Sequence, residues 1–98
     1  MSEAVSFADV EAAAAWLRGR GVVRTPLLRH PALDEAAGGT VLVKPEPLQR
    51  TGSFKLRGAT NAALLLDEGA RRAGVVTHSS GNHGQAVAAA AHMLGMPA

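Results

Sequence analysis

The chain has 98 residues, 47% of them hydrophobic and 18% charged, with a formal net charge of +2 and no cysteine. A chain of this length buries about two thirds of its unfolded surface, enough for one small core, and the lack of cysteine excludes a disulfide framework. No apolar run approaches the roughly 20 residues of a membrane span, and the scattered basic residues lack the interleaved aromatics of a nucleic-acid surface. Alanine supplies much of the apolar content and the aromatics are Phe7, Trp16 and Phe54, so the expected core is thin. The N-terminus lacks the basic-then-apolar order of a secretion signal, and the chain reads as cytoplasmic, with no membrane partner.

Ser6-Phe7-Ala8-Asp9 opens a helix, with Ser6 as cap and Asp9 reaching back to the free amides. Phe7, Val10, Ala14 and Leu17 follow helical spacing and predict a buried stripe, ended by Gly19 and Gly21. Thr25-Pro26-Leu27-Leu28 reads as extended, because a residue before proline is pushed out of the helical region. Pro31 to Ala37 forms a short helix closed by Gly38-Gly39. Thr40 to Lys44 is a strand by β-branched content, stopped by Pro45 and Pro47. A helix follows from Phe54 to Leu66, capped by Ser53. Leu66 to Gly74 is polar and bracketed by glycines, and reads as a hinge or inter-domain passage.

Gly74 to His78 is a second strand, which feeds the small-residue loop Ser79–Gly84 and a helix from Gln85 to Leu94. Strand, loop and helix make half of a βαβ unit, so the fold class is α/β with a parallel sheet. A loop at the carboxyl end of such a strand is where open α/β sheets bind ligands. Its backbone amides and helix dipole favour an anion. The alternative is a tight turn that uses Gly81 and Asn82 for unusual backbone angles. The histidines His30, His78, His83 and His92 show no metal-ligand spacing, and only His83, within the loop, is a functional candidate.

Lys55 lies in the first turn of its helix, where the macrodipole disfavours a positive charge. Two readings account for it. The amine could be held as a Schiff base with an aldehyde cofactor, as covalent anchor and later general base. Alternatively, it is an exposed lysine whose stem covers apolar surface.

The paired segments Glu46-Pro47-Leu48-Gln49-Arg50-Thr51-Gly52-Ser53-Phe54-Lys55-Leu56-Arg57-Gly58-Ala59 and Ser79-Ser80-Gly81-Asn82-His83-Gly84-Gln85 resemble the signature of the fold-type-II pyridoxal-phosphate enzymes. Within these the chain is most similar to the threonine/serine dehydratases and serine racemases, from about Ser6 to its last residue. The resemblance implies the N-terminal part of the tryptophan synthase β-like fold: open twisted parallel sheets with flanking helices, incomplete here. On that basis residues 1–73 belong to the large lysine-bearing domain and residues 74–98 begin the small α/β domain. The resemblance also implies pyridoxal 5'-phosphate as cofactor, held by Lys55, with Phe54 beside the ring and Asn82 bonded to the ring hydroxyl. Ser79, Ser80, Gly81, Asn82 and His83 would hold the substrate carboxylate, with Lys55 and Ser80 as catalytic groups and no metal in this segment. The implied activity is β-elimination from L-threonine or L-serine to a 2-oxo acid and ammonia, in a full-length homo-oligomer. Serine racemase or threo-3-hydroxyaspartate dehydratase is the alternative within the family, and an inactive anion-binding fragment the alternative outside it. The animal racemases use a serine pair for nucleotide binding where this chain has His30 and Pro31, a departure that favours a dehydratase.

Overall fold

The computed structural model describes residues 3–98. Five helices carry it: α1 (Phe7–Leu17), α2 (Pro31–Ala37), α3 (Lys55–Leu64), α4 (Glu68–Ala73) and α5 (Asn82–Met93), with a 3-10 turn at Glu46–Leu48. The local start signals behave as their chemistry dictates. Ser6 Oγ accepts from the Asp9 amide at 3.2 Å while the Ser6 amide donates to Asp9 Oδ2 at 2.8 Å, a reciprocal capping box. These bonds, the backbone one foremost, hold the Asp9 carboxyl below its ordinary pKa. α2 begins at Pro31 and ends on Gly38 at φ 67, a left-handed cap that suits glycine. His30 Nδ1 caps its start by accepting from the Ala32 amide at 3.1 Å.

The Leu66–Gly74 passage contains a helix rather than a purely irregular segment. Asp67 Oδ1 accepts from the Ala70 amide at 2.8 Å to start α4, and Arg72 lies 3.5 Å from Glu68 one turn away. α4 closes on Gly74 at φ 89, and a Cβ there would meet the Pro97 carbonyl oxygen at 2.5 Å. That turn brings Val75 beside the chain's last residues, where its amide donates to Pro97 O at 3.0 Å.

The main packing is α3 against α5, with α1 resting more lightly on α3. Ala63 of α3 packs with Ala90 and Ala91 of α5 and with Met96, and Leu56 of α3 and Ala86 of α5 are fully buried as well. Alanines at helical spacing let the two helices approach closely but bury little area each. The core is correspondingly thin, as its composition requires.

Two expectations fail for one reason. The stripe Phe7, Val10, Ala14 and Leu17 is not buried: Phe7 is 75% and Val10 53% exposed, and no residue of α1 is fully buried. Among the described residues the side-chain hydrogen bond between α1 and α3 is that of the Trp16 indole N–H, donating to Asn61 Oδ1. The strands fail similarly. Residues 40–44 contribute one antiparallel bridge, Leu28 to Val43, with both N–H···O bonds at 2.8 Å. Residues 74–78 lie in no regular element, and the Val75 amide among them donates to Pro97 O. A strand exists by pairing, and the described residues supply no neighbouring strand for either segment. The molecule is therefore helical, with no sheet among the described residues.

Its shape agrees. The radius of gyration is 16.2 Å, against about 13 Å for a compact domain of this length. The accessible surface is 7064 Å², against about 5,200 Å² for a compact protein of this mass. Leu27, Leu65 and Val76 are among the apolar side chains left open to solvent. No helix among the described residues is long and apolar enough to cross a membrane.

Candidate active site

α3 starts at Lys55 itself. Phe54 occupies the N-cap position in helical conformation without a side-chain capping bond, so Ser53 is one residue too early to be the cap. Ser53 Oγ still serves the helix start by accepting from the Lys55 amide at 3.4 Å. Lys55 thus stands at the first helical position, its ammonium 5.4 Å from the centre of the Phe54 ring. It makes no ion pair among the described residues.

Lys55 opens onto a cavity of about 460 Å³ between α3 and α5. Phe54, Gly58, Ala59 and Ala62 form the α3 wall, Val75 to Thr77 the floor, and His83 and Val87 the α5 wall. The site is mostly apolar with two nitrogenous side chains, the composition of a small-molecule pocket.

α5 begins at Asn82, three residues earlier than the predicted Gln85, so Asn82, His83 and Gly84 form its first turn instead of a loop. Its N-cap, Gly81, has no side-chain capping bond, and the first turn contains no acidic residue. Ser79 Oγ accepts from the Gly81 amide at 3.1 Å, which folds the preceding residues over the helix start. Gly84 leaves room for it, since a Cβ there would lie 3.2 Å from Ser79 Cβ, a few tenths of an ångström closer than ordinary contact. The first-turn amides thus remain open to an external acceptor, and the helix dipole favours an anion there.

The predicted residues divide into three groups. Phe54, Lys55 and His83 share the 460 Å³ cavity. Ser79 lines a second cavity of about 480 Å³, with His78, Gly84 and Ala98, which shares the Val75–Thr77 wall with the first. Ser80, Gly81 and Asn82 line neither, and stand at the N-terminus of α5.

One polar cluster beside the helix start has no counterpart in the sequence reading. Arg57 donates from Nε to Glu46 Oε2 at 3.0 Å and from Nη2 to Glu46 Oε1 at 2.7 Å, a two-pronged ion pair. The Thr25 hydroxyl donates to the same Glu46 oxygen at 2.7 Å, and Gln49 Nε2 to the other at 3.3 Å. Gln49 also pairs with both main-chain groups of Val23, accepting at 2.8 Å and donating at 2.9 Å. Arg57 foremost, then Thr25 and Gln49, pulls the Glu46 carboxyl down to a pKa of about 2 against the cost of burial. The sequence signal, an acid and an arginine 11 residues apart, has no local period that reveals it.

Comparisons with known proteins cover most of the chain. The profile of the family described as "Pyridoxal-phosphate dependent enzyme" matches residues 19–98. The L-threo-3-hydroxyaspartate ammonia-lyase of a Pseudomonas species is 53% identical over 93 residues, covering 95% of this chain and 29% of the relative. Rat serine racemase is 50% identical over 98 residues, covering 96% of this chain and 29% of the relative. The crystal structure of serine racemase from Dictyostelium discoideum superposes with a TM-score of 0.87 at 43% identity, covering 94% of this chain and 30% of that one. The chain therefore spans under a third of the length of these relatives.

The family's cofactor is pyridoxal phosphate, and the residues present fit it. A primary amine, Lys55, meets an aldehyde's chemical requirement, and the cavity's apolar walls suit a flat heteroaromatic ring. On the family profile and these relatives, the chain belongs to the fold-type-II pyridoxal-phosphate-dependent enzymes of the serine racemase and threonine dehydratase family.

Proposed function

We propose that these residues are the lysine-bearing part of a longer enzyme that converts L-threonine or L-serine into a 2-oxo acid and ammonia. The observation that carries the reading is Lys55 lining an apolar cavity whose α5 wall includes His83 of that helix's first turn. Pyridoxal phosphate, when bound, supplies the electron sink that makes the substrate α-proton removable. Lys55 would hold it through the side-chain amine, and that amine would also serve as base for the α-proton. Phe54 would pack beside the ring and Asn82 would bond its hydroxyl. The open amides of α5, with Ser79, Ser80, Gly81 and His83, hold the substrate carboxylate and so fix the direction of the α C–H bond.

Loss of water from the substrate and its later uptake leave a net conversion of hydroxy amino acid to 2-oxo acid plus ammonia. Residues 1–73 and 74–98 then belong to two domains, with the α3–α5 contact at their junction. Homo-oligomerisation of the whole enzyme is part of the same proposal.

Relatives of both activities support a second reading, racemisation, or elimination from threo-3-hydroxyaspartate. Racemisation needs a second acid/base on the face opposite Lys55, and Ser80 is the candidate. The test is 2-oxo acid and enantiomer composition from full-length wild type and Ser80→Ala side by side. A dehydratase retains most oxo-acid formation in the variant, losing about 1 kcal/mol of hydrogen bonding, while any activity on a D-substrate disappears. A wild type that makes D-enantiomer faster than oxo acid is a racemase, and one that makes neither product overturns the proposal.

A further inference from the structure

We infer that Arg57, clamped on Glu46, is a positioning residue that sets the first turn of α3 so that the Lys55 amine enters the cavity. The inference rests on Lys55 as the cofactor-bearing residue. Residues two apart on a helix point about 200° away from each other. Lys55 therefore faces the cavity while Arg57 reaches to the opposite side, toward residues 23–25 and the 3-10 turn. There its fork meets both Glu46 oxygens at 2.7 and 3.0 Å, and Nη2 also reaches Val23 O at 3.1 Å and Thr25 Oγ1 at 3.3 Å.

The cradle is itself rigid. Thr25 and Gln49 are each 4% exposed, and Lys44 Nζ donates to Thr25 O at 3.1 Å. Gln49 turns back on its own turn by accepting from the Arg50 amide at 3.1 Å. The start of α3 otherwise has little to hold it. It has no side-chain cap, glycine at 52 precedes it with φ 81, and the local bonds are Ser53 Oγ accepting from the Lys55 amide at 3.4 Å and Phe54 O accepting from the Arg57 amide at 3.1 Å. The Arg57–Glu46 fork is thus the strongest restraint on the orientation of the turn that carries Lys55. A lysine at position 57 could supply charge but not two parallel bonds.

The test uses the full-length protein with the single variants Arg57→Lys and Glu46→Gln and the double variant. Three quantities are measured well below each variant's melting temperature: the rate of reductive pyridoxal phosphate labelling at Lys55 in cofactor-stripped protein, kcat, and KM. A positioning role predicts that labelling rate and kcat each fall about tenfold in both single variants, as for a displaced reacting group, with KM little changed. The double variant falls no further than either single one, because both remove the same restraint. Wild-type labelling and kcat in folded Arg57→Lys and Glu46→Gln overturn the inference, as does loss of folding in every variant, since the clamp is then structural only. A wild type that takes no label at Lys55 overturns the functional reading as well, which separates the two failures.

Discussion

Replacing Glu46 by glutamine in the full-length protein should lower its stability by about 2 kcal/mol at neutral pH and remove one component of its acid sensitivity. Glu46 accepts from Arg57 Nε and Nη2, the Thr25 hydroxyl and the Gln49 amide at 2.7 to 3.3 Å. These donors bring its carboxyl from an ordinary 4.5 to about 2. At about 1.4 kcal/mol per tenfold change, that depression is equivalent to about 3 kcal/mol. Solvent at the Arg57 side chain, 31% exposed, screens the pair and brings the figure nearer 2. Glutamine keeps one carbonyl acceptor, but its amide faces donors, so one prong of the Arg57 fork is lost. A carboxyl whose folded-state pKa is depressed stabilises fully above its unfolded value and loses that stabilisation as pH falls through the folded one. The wild-type advantage is therefore constant near neutrality, shrinks below about pH 4.5 and is gone near pH 2. Urea unfolding of wild type and variant across this range measures it as a difference, which cancels the other carboxylates. An advantage below about 0.5 kcal/mol at neutral pH, or one that persists undiminished at about pH 2, refutes the reasoning.

Gly74→Ala should cost about 2 kcal/mol, because φ is 89 and the new Cβ would meet Pro97 O at 2.5 Å and Pro97 Cβ at 2.8 Å. A variant as stable as wild type to denaturant would contradict the packing of Gly74 on Pro97. The 98 residues expressed alone should be inactive and unfold without a cooperative transition. Their core of Leu56, Ala63, Ala86, Ala90, Ala91 and Met96 is too thin to offset about 1.5 kcal/mol of ordering entropy per residue. A two-state calorimetric melt of the isolated segment would contradict this.

What the sequence reveals and what it hides follow from the range of the interactions involved. The Ser6–Asp9 box and the Pro31–Gly38 helix were legible because four to eight residues contain the whole signal. The family was legible for the same reason, since its motifs are contiguous around Lys55 and Asn82. The burial of Phe7 and Val10 and the strands at 40–44 and 74–78 were misjudged because periodicity reports a face and a propensity without reporting what covers them. The glycines at 69 and 74 mask α4, whose start rests on the Asp67 cap and the Glu68–Arg72 pair. The start of α5 at Asn82 was missed because Gly81 caps it with no side-chain signal. The Arg57 clamp joins residues 11 and 34 positions apart, and only the folded chain brings them together.

The account centres on Lys55 as the residue that binds pyridoxal phosphate, and borohydride reduction of the full-length holoenzyme followed by peptide mapping tests it most directly. Reduction turns a reversible carbon–nitrogen bond into a permanent one, so the label stays where the cofactor was held. The expected result is a single labelled peptide with the pyridoxyl group on Lys55. Label on Lys44, on any other lysine, or on none contradicts it.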